Sequence, residues 1–440
     1  MNEQGNAGIE GQYKHLLDSF LLNLHSLKSF ANNLRPVLLN DVIRKKESKI
    51  EERDVELLLE MLKILKFGTM DLDVDQEVKD KKTAYLEKLL DEKHGVKLLN
   101  KTDISIHGLA GVATKKALKD YRSRQKQLSI LYQSTLISMV IYFEMFVASI
   151  IKHRLVRYPK AADIEYKTLT FDDIRKLGSF ENAEQYLIEQ VIETLLRDKY
   201  LEWINYIKTN MKLKLDRISP LNDKVIEIIQ RRNLFVHNEG IANNIYLNNI
   251  NSEFKSEVML GEKLEITPEY IDKSISTIRH VGVLIGLEYW RMMEKESDER
   301  VSYIGDIGME LMLSQEWELA KDIYQFNLLE KSIDSISKTV SQINYWLSLK
   351  RLGNFNEVKN EVESSDFFDK TRDFQVCYAA LVGDTERMYN EIPKAIKTEE
   401  LTVEALMSWP IFTEYRNDEK FVALLDHEEE NIEENISIEA

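Results

Sequence analysis

The chain has 440 residues, an apolar share of 43% and a formal net charge of −16. Its length suits about two or three domains with substantial cores, and its charge excludes long-range attraction of nucleic acid by the chain as a whole. A single cysteine, Cys377, excludes an intrachain disulfide framework and favours a reducing compartment, so we expect a cytoplasmic protein. Six prolines and 16 glycines are few, which favours long helices, and we predict an all-α fold.

Residues 1–114 form the first predicted region, which is helical. Apolar residues at helical spacing predict a helix over residues 9–35, and further helices are expected over 41–67 and 81–93. Residues 94–111 are predicted to form a loop. The polar start of the sequence lacks the pattern of a signal peptide. No motif in this region suggests a chemical function.

The second predicted region, 115–295, begins with a basic segment that leads into an apolar run at 128–151. This run is long enough to span a bilayer. However, Gln133 and Glu144 lie within it and charged residues flank it, so we expect a buried helix in a bundle and no membrane span.

Three further helices are predicted in this region. Residues 182–207 have the spacing of a single amphipathic helix. Pro220 marks the start of the next helix, which runs into the polar stretch "RRNLFVHNEG" and is expected to end at Gly240. Pro268 opens the last helix of the region.

Residues 296–426 form the third predicted region, in which a weak repeat places short polar turns between pairs of helices. The turns recur at Gln315, Gly353 and Gly383, with offsets of 38 and 30 residues. These offsets lie near the period of about 34 residues of tetratricopeptide repeats, and "YWLSLKRLGNF" resembles the signature of that repeat. A helical domain without repeats is the alternative. Residues 427–440 are predicted to be a solvated acidic tail.

The stretch "RRNLFVHNEG" combines residues that suit the cleavage of RNA. His237 can transfer protons near neutral pH, Arg232 can neutralise phosphate charge, and Asn233 can orient either of them. On an ideal helix Arg232 and His237 lie about 140° apart. They would meet if the helix end unwinds or if two copies of the helix pair. The alternative is a pair of cations that complements the helix dipole.

This stretch resembles the R-x4–6-H motif of the HEPN superfamily of helical endoribonucleases. The apolar run also resembles the first long HEPN helix, in which an acidic residue, here Glu144, lies among aromatic residues. The resemblance covers roughly residues 120–295.

The resemblance implies a helical bundle that forms a homodimer, with Arg232 and His237 of each protomer at a composite site. It also implies cleavage without a metal or another cofactor, leaving a 2′,3′-cyclic phosphate and a 5′-hydroxyl, and a toxin or anti-phage defence role. Glu144 is a candidate to orient Arg232 or His237, and Asn238 to shape the following turn. Candidate RNA contacts are Lys115, Lys116, Lys119, Arg122, Arg124 and Lys126.

Two other basic groups, at 152–157 and 208–217, are also candidates for phosphate contacts. The repeats are expected to bind a protein regulator or a trigger. The rival hypothesis is an interaction protein without catalytic activity, in which a HEPN dimerisation module is joined to a repeat scaffold. A third possibility is a nucleotide-binding partner of a nucleotidyltransferase.

Overall fold

A computed structural model describes residues 11–39, 96–98, 104–106, 108–158 and 168–425. The described residues are predominantly helical, which confirms the predicted class. The helices predicted over 41–67 and 81–93 and the acidic tail lie outside the described residues.

Helix α1 (Gln12–Leu39) confirms the helix predicted over residues 9–35. The predicted loop at 94–111 is wrong in part, because Val96–Leu98 (β1) and Ile104–Ile106 (β2) pair as antiparallel strands. Strands of three residues are too short to produce a readable alternation of apolar and polar residues. Helix α2 (Gly108–Arg157) then carries the basic segment and the apolar run as one continuous element.

The helices that follow α2 lead to the candidate motif. Residues 182–207 do not form the single predicted helix, because the backbone is extended at Asp198 and Lys199. A 3-10 helix, Asp216–Leu221, precedes the motif helix α6, and Pro268 opens α9 as predicted. The elements in chain order are α3 (Phe171–Leu177), α4 (Phe180–Arg197), α5 (Tyr200–Thr209), α6 (Asn222–His237), α7 (Asn244–Asn249), α8 (Ser252–Lys255) and α9 (Pro268–Met293).

The C-terminal half consists of helices joined by short turns and two further 3-10 helices. Helix α10 packs on α11, α11 on α12, and α14 on α15. Trp346 and Tyr324 are fully buried among them. The elements are α10 (Asp298–Leu313), α11 (Trp317–Asn327), α12 (Ser335–Arg351), a 3-10 helix (Phe355–Glu357), α13 (Lys359–Ser364), α14 (Arg372–Val382), α15 (Thr385–Lys397), α16 (Val403–Ser408) and a 3-10 helix (Pro410–Phe412).

The chain divides into two compact units, each assembled from separate stretches of sequence. The first unit takes its described residues from Met1–Leu21, Phe143–Ile226 and Ser276–Ala440. The second takes them from Leu22–Tyr142 and Glu227–Ile275. The candidate residues Arg232, Asn233 and His237 therefore belong to the second unit.

The core of the first unit depends on close helix packing. Phe20 of α1 stacks on Phe146 of α2, with ring centroids 4.3 Å apart. Gly282 and Gly286 of α9 face Phe20, Leu17 and Phe146 so closely that a Cβ atom at either glycine would overlap these side chains. The two glycines thus allow three helices to approach one another.

Helix α2 is also notable for its apolar composition. Among the described residues, the segment Gly111–Arg157 alone is long and apolar enough to cross a membrane, and half of its most apolar window is buried. A core helix of a soluble protein satisfies the same criteria. Its buried residues include Leu136, Val140, Phe143 and Val147, each fully shielded from solvent.

Candidate functional site

The motif lies in the last turns of α6, and the helix stays regular up to His237. The backbone N–H of Asn238 donates to the carbonyl oxygen of Leu234 at 2.7 Å, which continues the helical pattern. The N–H of Gly240 donates to the same oxygen at 3.1 Å, and Gly240 has a φ of 80°. The helix ends at His237, close to the predicted stop at Gly240, and Glu239, with a φ of 51°, is the left-handed residue that closes it.

This regularity decides how the motif side chains are directed. Arg232 and Asn233 are partly buried, whereas His237 is exposed. Because no unwinding occurs before His237, Arg232 and His237 remain about 140° apart around the axis of α6. Unwinding of the helix end within one chain is thus not the means by which the two side chains would meet.

The turn after α6 is held by side chains, among them Asn238, which the sequence singled out for this purpose. The Asn238 side-chain amide donates to the carbonyl oxygen of Ile241 at 2.6 Å. The Asn243 side chain then accepts the backbone N–H of Tyr246 at 2.9 Å and caps α7. The ring of Phe235 packs against Gly240 and leaves no space for a side chain there.

The sequence did not single out a buried polar cluster on α6, one turn before the motif. The Glu227 cluster consists of Glu227, Arg231, Tyr246 and Tyr270. One oxygen of the Glu227 carboxylate accepts hydrogen bonds from Arg231 Nε and from the Tyr246 hydroxyl, both at 2.7 Å. The other accepts the Tyr270 hydroxyl at 2.8 Å. Glu227 is only 3% exposed, so three donors compensate a buried carboxylate.

The electrostatics of the Glu227 cluster keep its donors protonated. Burial raises the pKa of the Tyr246 hydroxyl, and the Glu227 carboxylate raises that pKa further. The same two causes raise the pKa of Tyr270. Burial alone would lower the pKa of Arg231, but interactions with Tyr270 and Glu227 outweigh burial and raise it. The Arg231 guanidinium also lies 4.2 Å from the centre of the Tyr270 ring.

The Glu227 cluster links α6 to α7 and to the first turn of α9. Such a link fixes the rotation of α6 about its axis and, with it, the directions of Arg232 and His237. Part of the cluster had a sequence signal, since Glu227 and Arg231 have the i, i+4 spacing of a helical ion pair. The two tyrosines had none, because their approach to Glu227 depends on tertiary packing.

The predicted RNA contacts lie along one stretch of α2, also in the second unit. Lys115, Lys119, Arg122 and Lys126 are exposed and fall within about 60° of one another around the helix axis. They form a basic stripe on one face of α2. Lys116 is exposed on another face, and Arg124 is partly buried.

The remaining predicted groups have other surroundings. Glu144 is partly buried on α2 and belongs to the first unit, so its role in orienting Arg232 or His237 stays a prediction. In the basic group at 152–157, Lys152 pairs with Glu189 at 3.2 Å, and the Arg154 guanidinium lies 4.0 Å from the centre of the Tyr158 ring.

Within the part of the chain that the structure describes, no group of three or more His, Cys, Asp or Glu residues could hold a metal ion. Comparisons with protein-family models, with curated proteins and with solved structures find no match for this chain. The functional argument therefore depends on the motif, its geometry and its chemistry.

Proposed function

We propose that the chain is a HEPN-type endoribonuclease that cleaves RNA without a metal ion and acts as a toxin or anti-phage defence effector in the cytoplasm. The observation that carries the proposal is the position of the R-N-x3-H motif. It occupies the last turns of a helix that a buried cluster anchors, and it leaves the His237 side chain exposed. An exposed histidine with a fixed position suits proton transfer to and from a bound substrate.

The proposed reaction is transesterification within RNA. A 2′-hydroxyl loses its proton, its oxygen attacks the adjacent phosphorus, and the bond from phosphorus to the 5′-oxygen breaks. The leaving 5′-oxygen takes up a proton, so the products are a 2′,3′-cyclic phosphate and a 5′-hydroxyl. His237 acts in proton transfer, Arg232 neutralises the charge on the phosphorane, and Asn233 positions these groups.

The angle between Arg232 and His237 supports a site that two protomers share. On one helix the two side chains point about 140° apart. Two copies of α6 related by a two-fold axis would place His237 of one protomer near Arg232 of its partner. Exposed apolar side chains in the stretch from 236 to 260 support self-association. They are Val236, Ile241, Ile245, Met259 and Leu260.

A mixing experiment tests the shared site. Chains with Arg232→Ala and chains with His237→Ala are each expected to be inactive. If each site combines one residue from each protomer, half of the dimers in an equal mixture have one intact site out of two, and activity returns to roughly a quarter of the wild-type value. Two inactive variants that stay inactive after mixing and subunit exchange would contradict this arrangement.

The other parts of the chain have supporting roles in the proposal. The basic stripe on α2 supplies phosphate contacts that do not depend on sequence. The helices α10–α15 act as tetratricopeptide-like pairs that bind a protein regulator or trigger. Packing between consecutive helices and the short turns between pairs support this assignment.

Expression in a bacterial host tests the nuclease directly. We expect growth arrest and RNA cleavage with the wild type but not with His237→Ala. His15→Ala is a matched control, because His15 is also an exposed helical histidine, and it should behave as the wild type does. If none of the three chains slows growth and the RNA stays intact, an interaction module without catalytic activity would be favoured.

A further inference from the structure

A cleft in the first unit is lined mostly by charged side chains. Its volume is about 510 Å³. The α9 cleft, as we name it, lies between the segment 214–217, the end of α9, the loop at 295–296 and the residues that follow α11. Five cationic side chains line it, namely Lys214, Arg217, Arg291, Lys295 and Lys331.

Most carboxylates of the α9 cleft are already neutralised by neighbouring cations. Glu330 is fully buried and accepts two bonds from the buried Arg300, at 2.6 and 3.2 Å. Glu288 accepts Arg291 Nη2 at 2.6 Å. Asp216 lies 3.7 Å from Lys208 Nζ. Among the described residues, Glu296 is then the one lining carboxylate without an ion pair.

The cations at the opening of the α9 cleft are not neutralised in this way. Lys214, Lys295 and Lys331 are exposed, and none forms an ion pair with another residue that the structure describes. The exposed carboxylates of the lining are Glu296 and Asp216, and Asp216 already lies near Lys208, so the three ammonium groups leave an excess of positive charge at the opening.

The deeper part of the cleft holds two arginines in fixed positions. Arg217 Nη1 donates to the carbonyl oxygen of Asp322 at 2.9 Å, which orients the guanidinium without neutralising it. The Arg291 guanidinium lies 4.1 Å from the centre of the Phe326 ring. A guanidinium held by a neutral carbonyl retains its charge and further N–H donors for an anion.

We propose that the α9 cleft binds a small ligand that carries two or more phosphate groups. The volume lies within the usual range for small-molecule sites, roughly 300–1,000 Å³. Arg217 offers N–H donors with a fixed direction in the deeper part of the cleft, and the three lysines offer flexible positive charges at the opening. This arrangement suits a ligand with several linked phosphates. A compact cleft favours a small molecule over an RNA strand, which needs an extended groove.

This site does not depend on the proposed nuclease. None of its residues belongs to α6, and two of them, Lys214 and Arg217, come from the basic group at 208–217. A phosphorylated ligand bound there would contact α9, the segment before α6 and the helices of the C-terminal half at once.

Binding of inorganic triphosphate to the purified full chain tests the proposal. Calorimetry at low salt should detect saturable binding, with a dissociation constant below about 1 mM. Lys214→Ala, Lys295→Ala and Lys331→Ala should each weaken binding about three- to tenfold. The triple variant should abolish it. Lys338→Ala is the matched control, since Lys338 is an exposed lysine that does not line the cleft.

Adenosine triphosphate, compared with inorganic triphosphate, distinguishes the source of the phosphates. If adenosine triphosphate binds much more tightly than inorganic triphosphate, the ligand is a nucleotide. If the two bind equally, the cleft recognises the phosphates alone. No binding of either ligand, or unchanged binding by the triple variant, would overturn the proposal. Binding of an RNA oligonucleotide at the cleft without binding of triphosphate would also overturn it.

Discussion

Arg231 and Arg232 are neighbours in the sequence, yet they belong to two differently built parts of α6. Arg231 is directed inward, where it joins Glu227 and two tyrosines in a buried cluster. Arg232 belongs to the motif that ends at the exposed His237. The first arginine therefore stabilises the helix, and we propose that the second takes part in chemistry.

The two parts should respond differently to substitution. Changes in the Glu227 cluster remove compensation from a buried charge and should lower the free energy of unfolding. Changes at an exposed motif residue should leave that free energy almost unchanged, while they remove the proposed activity. The loss of stability is expected to decrease from Glu227 through Gly240 and Tyr246 to His237.

The largest loss is expected for Glu227→Ala. This change leaves the partly buried Arg231 without its carboxylate and removes the acceptor of both tyrosine hydroxyls. The free energy of unfolding should fall by about 3–5 kcal/mol. Denaturant unfolding measures it, with the exposed Glu257→Ala as a control that should change by less than about 0.5 kcal/mol. Equal values for the two variants would contradict the role of the cluster.

Gly240→Ala should give the next largest loss, and the chain supplies a matched control for it. Gly240 and Gly261 have φ values of 80° and 82°. An alanine at either position should lower the free energy of unfolding by about 1–2 kcal/mol, because the backbone there is left-handed. At Gly240 the new Cβ would also displace the Phe235 ring, for a further loss of about 1–3 kcal/mol, whereas Gly261 has open space around it. Calorimetric unfolding of both variants should reveal the difference, and its absence would show that Phe235 does not constrain this turn.

Tyr246→Phe should have a smaller effect, because it removes one of three donors to Glu227 and retains the ring. A hydrogen bond to a charged group is worth about 1.5–3 kcal/mol, and that is the expected loss in the free energy of unfolding. Tyr186→Phe is the control, since Tyr186 is exposed and its hydroxyl accepts a bond from Gln190 at the surface. A loss at Tyr246 no larger than that at Tyr186 would argue against a buried hydrogen bond.

The smallest effect on stability is expected for His237→Ala. The side chain is exposed at the end of α6, so the free energy of unfolding should change by less than about 0.5 kcal/mol. Thermal unfolding of the wild type and the variant checks this value. A large loss would mean that His237 has a structural role and would remove the contrast with the Glu227 cluster.

The sequence predicted the helical class, the presence of α1, the start of α9 at Pro268 and the end of α6 close to Gly240, because these depend on local periodicity and on Pro and Gly. It did not predict the break at Asp198 and Lys199, since neither residue is Pro or Gly; Tyr200 and Trp203, which follow the break, are buried. It named Asn238 correctly as a residue of the turn. It missed the Glu227 cluster, whose tyrosines come from separate helices, although the i, i+4 spacing of Glu227 and Arg231 was a partial signal.

The most direct measurement is RNA cleavage by the purified full chain in the presence of a metal chelator, with His237→Ala as the comparison. The account predicts that the wild type cleaves RNA and leaves 2′,3′-cyclic phosphate ends, detected by mass spectrometry. It predicts that His237→Ala cleaves about 10²–10⁴-fold more slowly while its fold stays intact. The absence of cleavage by the wild type across several RNA classes, or equal cleavage by the two chains, would contradict it.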